Sequence, residues 1–152
     1  MFQKYTWFLL ALLIPFCSFG QTPWELKEDK EGIRIYTRTL PNKKYLEFKA
    51  TTEVDASMHS LIALLKSVED MSSWMKNFEQ NKLLASNDFW HQISYHEVYI
   101  PILQNRDVIL ELKVNKNPTN GSVRIDMLGL PTYLPEESKK TRIKEMKGYW
   151  IC

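Results

Sequence analysis

Most of the chain alternates apolar and polar positions with the period of a β-strand, and one stretch switches to helical spacing. Over residues 33–38, Ile33, Ile35 and Thr37 alternate with Arg34, Tyr36 and Arg38, the pattern of a half-buried strand. Pro41 and Asn42 supply a turn, and residues 45–54 then set Leu46, Phe48, Ala50 and Val54 against Glu47, Lys49 and Glu53, which predicts a hairpin. Ahead of it, residues 24–30 are mostly charged around Trp24 and Leu26 and predict one or two helical turns ended by Gly32.

The period changes after Asp55, an expected N-cap. Leu61, Leu64, Leu65 and Val68 fall at helical spacing, giving an apolar stripe on a helix that runs to about Asp70. Ser72 or Ser73 would cap a second, short helix carrying Trp74, Met75 and Phe78. The strand period returns over residues 82–85, 89–100, 107–116, 123–130 and 141–151, joined by turn residues. Asn120-Gly121 is expected to form a two-residue hairpin turn, because both residue types tolerate positive φ. It also opens an Asn-Gly-Ser sequon, which the hairpin explains without glycosylation.

Val108, Leu110, Leu112 and Val114 alternate with Asp107, Glu111 and Lys113, and Val123, Ile125 and Met127 alternate with Arg124 and Asp126, so the sheet should have one dry and one wet face. With strands about 4.8 Å apart, that dry face is wider than one helix can cover. The fold class that follows is α+β, a curved antiparallel sheet packed with helices.

Composition narrows the function. At 44% hydrophobic and 25% charged residues the chain has enough apolar material for a real core. Its 20 basic and 18 acidic residues nearly cancel, so the charge balance does not favour nucleic acid as a partner. Residues 1–20 read as a signal peptide: Lys4, then an apolar stretch over 5–19, then Ser18-Phe19-Gly20 as a cleavage site before Gln21. The apolar run of about 15 residues is shorter than the roughly 20 that span a bilayer, and Pro15 interrupts it. Cleavage after Gly20 and a periplasmic or secreted mature chain, 21–152, are expected. Cys17 falls in the leader, so Cys152 is left as a lone thiol and no internal disulfide is possible.

Catalytic and metal chemistry find little support. His91 and His96 are five apart on an expected strand and point to opposite faces, while His59 lies on the helix, so no metal site and no cofactor are expected. The sequence carries no G-x-S-x-G elbow, phosphate-binding loop or dinucleotide fingerprint.

In its order of segments the chain resembles the StAR-related lipid transfer (START) domains of the helix-grip, birch-pollen-allergen-like superfamily. The likeness rests on Trp24 followed by Gly32-Ile33-Arg34-Ile35-Tyr36, on Pro101-Ile102-Leu103-Gln104-Asn105-Arg106-Asp107-Val108, and on Gly148-Tyr149-Trp150 after a basic stretch. Pro101 cannot continue a ladder, so the chain must bend there, and Arg106 and Asp107 would restart the next strand with an ion-pairing edge. The resemblance implies a non-catalytic protein that holds a lipid or other hydrophobic small molecule, with Phe48, Leu110, Leu112, Ile125 and Met127 lining a hollow and Trp74 and Tyr95 at its rim. Some sterol-binding members carry a buried Arg where this chain has Leu112, so sterol specificity is not implied. Relatives with cyclase or aromatase activity suggest an alternative, in which Glu97 with Tyr95 and Tyr99 would move protons. Transient membrane contact through Lys139, Lys140, Arg142, Lys144 and Lys147 would accompany lipid uptake, although Glu136, Glu137 and Glu145 dilute that charge. START domains continue with one more strand and a C-terminal grip helix. The sequence stops at Cys152, so a truncated domain is the expectation.

Overall fold

The computed structural model describes residues 22–41, 43 and 45–152. The expected leader lies outside the described residues, as does Asn42 of the expected Pro41-Asn42 turn. The chain divides into two compact units, Met1–Asp55 and Ala56–Cys152.

The described part of the first unit is an antiparallel sheet of β1 (Glu25–Lys30), β2 (Ile33–Thr39) and β3 (Leu46–Thr51). The segment expected to be helical is the strand β1. Lys30 pairs with Ile33 across a two-residue turn in which Glu31 (φ 53°) and Gly32 (φ 78°) are both left-handed. That is the turn whose twist suits a hairpin, and Gly32 acts as its pivot rather than as a helix stop. On one face the guanidinium of Arg38 lies 4.4 Å from the centre of the Trp24 ring and the Lys49 ammonium 4.4 Å from that of Tyr36. Arg38 also donates to Glu47 at 2.6 Å.

In the second unit, α1 (Met58–Lys66) and α2 (Met71–Trp74) lead into β4 (Phe78–Asp88), β5 (His91–Val98), β6 (Arg106–Lys116), β7 (Val123–Gly129), β8 (Thr141–Arg142) and β9 (Lys147–Ile151). The N-cap of α1 is Ser57, two residues beyond the expected Asp55, and its hydroxyl accepts from Ser60 N at 3.0 Å. The helix ends at Lys66, where the Ser67 N–H closes on the carbonyls of Ala63 and Leu64. Ile62 and Leu65 are buried while Leu64 stays 44% exposed, so the buried stripe is rotated from the expected one. The N-cap position of α2 falls on Asp70 rather than Ser72 or Ser73.

The sheet order is β4-β5-β6-β7-β9, antiparallel throughout, with β8 beside β6. Three register shifts along β4 bend that strand over β5. The expected strand over residues 141–151 is broken in two: β8 runs parallel to β6 at Arg106 and Asp107, and β9 pairs with β7. Among the described residues no strand pairs with the outer edge of β9. Between β6 and β7 the connection is a six-residue loop, not a two-residue turn. Asn117 N–H donates to Ser122 O and Gly121 N–H to Asn117 O, and of the Asn120-Gly121 pair only Gly121 takes positive φ (75°).

Each face of this sheet carries an apolar cluster. Ile62 and Leu65 of α1 pack on Val108, Leu110, Leu112, Val114, Val123 and Ile125, with Leu61, Trp74 and Met127 at the margin. On the opposite face Ile93, Tyr95 and Ile109 pack with Leu84, Ala85, Leu130 and Leu134. The face expected to be wet is therefore dry at one end, where the segment that starts at Leu130 and leads to β8 covers it. That segment is fixed by Arg142, which meets Asp107 through two hydrogen bonds of 3.0 and 2.8 Å and donates to the carbonyls of Pro131, Leu134 and Pro135. Of the expected ion-pairing edge, Asp107 thus pairs with Arg142, and Arg106 is exposed. Both side chains of the pair are 1% exposed. In such a setting a charge is tolerated only with its counter-ion and its remaining hydrogen bonds in place.

Candidate ligand-binding face

Strand register decides which side chains share the α1 side of the sheet. Leu110 and Leu112 on β6 face the same way as their β7 neighbours Gly129 and Met127, and Val114 faces with Ile125. Leu110, Leu112, Ile125 and Met127, four of the expected lining residues, therefore form one continuous apolar surface, and Trp74 of α2 packs against it. The surface extends outward to Leu83 of β4 (opposite Ser94) and Trp150 of β9 (opposite Ile125), which are 53% and 43% exposed. Between those flanks Val108, Leu110, Leu112, Val114 and Ile125 are buried beneath α1 and its neighbours.

Of the other expected lining residues, one belongs to the first unit and one to the opposite side of the sheet. Phe48 sits on β3 of the first unit, opposite Thr37, and is 77% exposed. Tyr95 pairs with Ile109 and so points to the other side of the sheet from Leu110, under residues 130–146. Its hydroxyl accepts from Lys140 Nζ at 2.9 Å, and the same ammonium meets Glu97 at 2.8 Å. Burial pushes the Tyr95 phenol up, against the opposing pull of Lys140. Burial also works to raise Glu97, but the Asn105 amide and Lys140 together hold its carboxyl below the ordinary range. Glu97 is thus an ion-paired carboxylate that fastens the crossing segment, on the far side of the sheet from the apolar surface, and Tyr99 is 43% exposed just beyond the strand. The expected acid and phenol cluster does not open onto the apolar face.

Within the α1-side face lies a polar chain that the alternation did not reveal. His96 and Ser94 pair across the ladder with Val108 and Leu110, so both point to the α1 side, and both are 0% exposed. Ser94 Oγ is 2.8 Å from His96 Nε2, and His96 Nδ1 is 2.7 Å from Asn81 Oδ1. Asn81 Nδ2 donates to Ser72 Oγ at 3.1 Å, tying α2 to β4. Phe78 meets the imidazole edge-on, with centroids 5.7 Å apart. Burial holds the His96 ring at a pKa of about 4, so it is neutral at physiological pH. Gln92, next along this face, donates to the Lys66 carbonyl at 3.1 Å. His91 faces the other way, as its odd spacing from His96 requires, and meets Glu111 at 2.9 Å. The Trp74 indole N–H is buried without an acceptor among the described residues.

The sequence signal for this chain was present in β5. Gln92, Ser94 and His96 alternate with Ile93 and Tyr95, so the polar set falls on the side that β6 makes apolar. Such a conflict between neighbouring strands marks either a wet interior or a specific polar site.

No family model matches the chain. An uncharacterized protein of Pseudomonas aeruginosa, PA1579, is 27% identical over 130 residues, which cover 84% of this chain and 62% of that protein. The chain thus spans less than two thirds of that relative's length. Among solved structures, a STAR-related lipid transfer protein from Xanthomonas axonopodis superposes with a TM-score of 0.79 at 27% identity, over 84% of this chain and 72% of that one. Human STARD10 gives 0.65 at 20% identity, over 78% of this chain and 49% of that one. The lipid transfer and protein localization domain of human StarD13 gives 0.69 at 15%, over 86% and 69% respectively. The two human proteins are similar in fold alone.

Proposed function

We propose, from the premise that this chain has the START fold, that it is a non-catalytic binding protein for a lipid or other hydrophobic small molecule. The ligand lies against the α1 side of the β4–β9 sheet. The observation that carries this reading is the apolar cluster of Val108, Leu110, Leu112, Val114 and Ile125, closed over by α1 and its neighbours in this structure, with Met127 at its margin and half-exposed Leu83 and Trp150 on the flanking strands. Each ligand methylene removed from water there contributes about 0.8 kcal/mol, so affinity grows with chain length without any polar contact.

Native mass spectrometry on the full chain purified without detergent tests this reading. An apolar molecule carried through purification, or taken up from vesicles of mixed bacterial lipids, is the expected result. Met127→Glu, at the margin of the surface, should reduce uptake while the circular dichroism spectrum is kept. A chain that carries nothing and takes up nothing overturns the reading.

Export is part of the same proposal, supported by Lys4, the apolar run over residues 5–19 and Ser18-Phe19-Gly20. A mature N-terminus at Gln21 in the periplasmic or culture fraction is expected, and an intact Met1 retained in the cytoplasm would refute it. Loading and unloading would then take place at a membrane surface, where the exposed Lys139, Lys144 and Lys147 would meet anionic headgroups, while Lys140 and Arg142 of the expected basic stretch are taken up by Glu97 and Asp107.

A further inference from the structure

We infer that the α1-side face selects ligands with an uncharged hydroxyl head, which donates its proton to Ser94 Oγ and accepts one from the Trp74 indole. The inference rests on the lipid-binding reading above and adds the chemistry of the head.

The argument begins with proton bookkeeping along the polar chain. The Asn81 amide nitrogen is engaged by Ser72 Oγ, so its oxygen faces His96 and requires a proton on Nδ1. A neutral imidazole then has a bare Nε2, which can only accept, and the Ser94 hydroxyl must donate to it. Ser94 has used its proton and keeps its lone pairs; His96 is its one hydrogen-bonding partner among the described side chains. The result is a fixed acceptor set in an apolar wall beside Leu110.

The second half of the site is the Trp74 indole. It packs on the cluster that contains Val108 and Leu110, the register partners of His96 and Ser94. Its N–H is a buried donor without an acceptor among the described residues, an arrangement that costs about 1–3 kcal/mol unless a partner arrives. An oxygen that both donates and accepts answers both needs at once, and a hydroxyl does so. A carboxylate does not: it has no proton for Ser94. The buried charged groups Glu97, Asp107 and Arg142 all lie on the other face of the sheet, so none compensates an anion here. Ser94 and His96 are fully covered in this structure, so the head takes the place of the side chains that now close over them. The four-residue α2, which carries both Trp74 and Ser72, is the element best placed to give way.

The test measures displacement of the neutral dye N-phenyl-1-naphthylamine from the full chain by oleyl alcohol, by oleyl methyl ether and by oleate at pH 8. The expected order is alcohol tighter than ether by about tenfold, the size of one well-placed hydrogen bond, with oleate weakest. Ser94→Ala should close the gap between alcohol and ether. Trp74→Phe, which keeps the ring and removes the N–H, should weaken alcohol and ether together by several-fold. Equal affinity of the wild type for alcohol and ether overturns the inference and leaves lipid binding standing, as does a gap that survives Ser94→Ala. Should Ser94→Ala not fold, an unchanged pair of affinities in Trp74→Phe overturns it equally. Binding of none of the three removes the lipid-binding reading and this inference with it.

Discussion

A histidine sealed among apolar side chains makes stability depend on pH in a definite direction. His96 titrates at about 4 in the folded chain against 6.5 ordinarily, so between those values the unfolded chain binds the proton and the folded chain does not. Stability is full above pH 6.5 and falls as pH drops toward 4, by about 2 kcal/mol at pH 5 on these two values. Urea titrations at pH 7 and pH 5 should show that loss, and His96→Gln should flatten it. Glu97 and Glu111 behave oppositely in origin: their folded carboxyls are held low, so their contribution is present above the ordinary carboxylate range and disappears only at more acid pH. On the other face, Arg142→Leu strands the Asp107 carboxylate at 1% exposure and should cost about 3–5 kcal/mol in the same titration. The double replacement of Asp107 and Arg142 by Leu should recover much of that loss, because no lone charge then remains. The alternation in β5 held a signal for the buried His96, but nothing in the sequence announced the Asp107–Arg142 pair. Asp107 and Arg142 are 35 positions apart, a separation across which no periodicity speaks.

At the level of elements, the bend after β5 is built on an unfavourable residue. Ile100, Pro101, Ile102 and Leu103 form a turn closed by Leu103 N–H donating to Ile100 O at 3.2 Å, with Ile102 at φ 70° and fully exposed. Proline suits the second position of such a turn, but the third calls for glycine, and a β-branched residue there is strained. Ile102→Gly should therefore raise stability by about 1 kcal/mol, read from a thermal or urea transition, since it relieves strain and gives up no packing. The sequence indicated this bend through Pro101, and it also indicated the β2–β3 hairpin, the helix α1 and the long strands β5, β6 and β7. It misled at β1, where a mostly charged stretch proved to be an edge strand folded back by Glu31-Gly32. It misled again over residues 141–151, where residues 143–146 separate β8 from β9. In both places the deciding influence is a partner strand, which a local pattern does not contain.

For the molecule as a whole, the resemblance carried by three short motifs anticipated the START fold, and alternation within β6 and β7 found four lining residues that do share a face. What alternation missed is that β5 is buried on both sides: its polar set faces the apolar cluster, and its tyrosine lies beneath the crossing segment. The outer edge of β9 has a further consequence for how the chain meets water. Cys152 N–H donates to Val123 O and Met146 O accepts from Gly129 N–H, so even-numbered peptide groups of this strand turn toward β7 and odd-numbered ones turn away. Hydrogen–deuterium exchange followed by NMR should therefore alternate along β9, with Tyr149 and Ile151 amides losing their protons quickly and Gly148 and Trp150 slowly. Uniform slow exchange along the strand would mean that its free side is occupied in solution by another backbone.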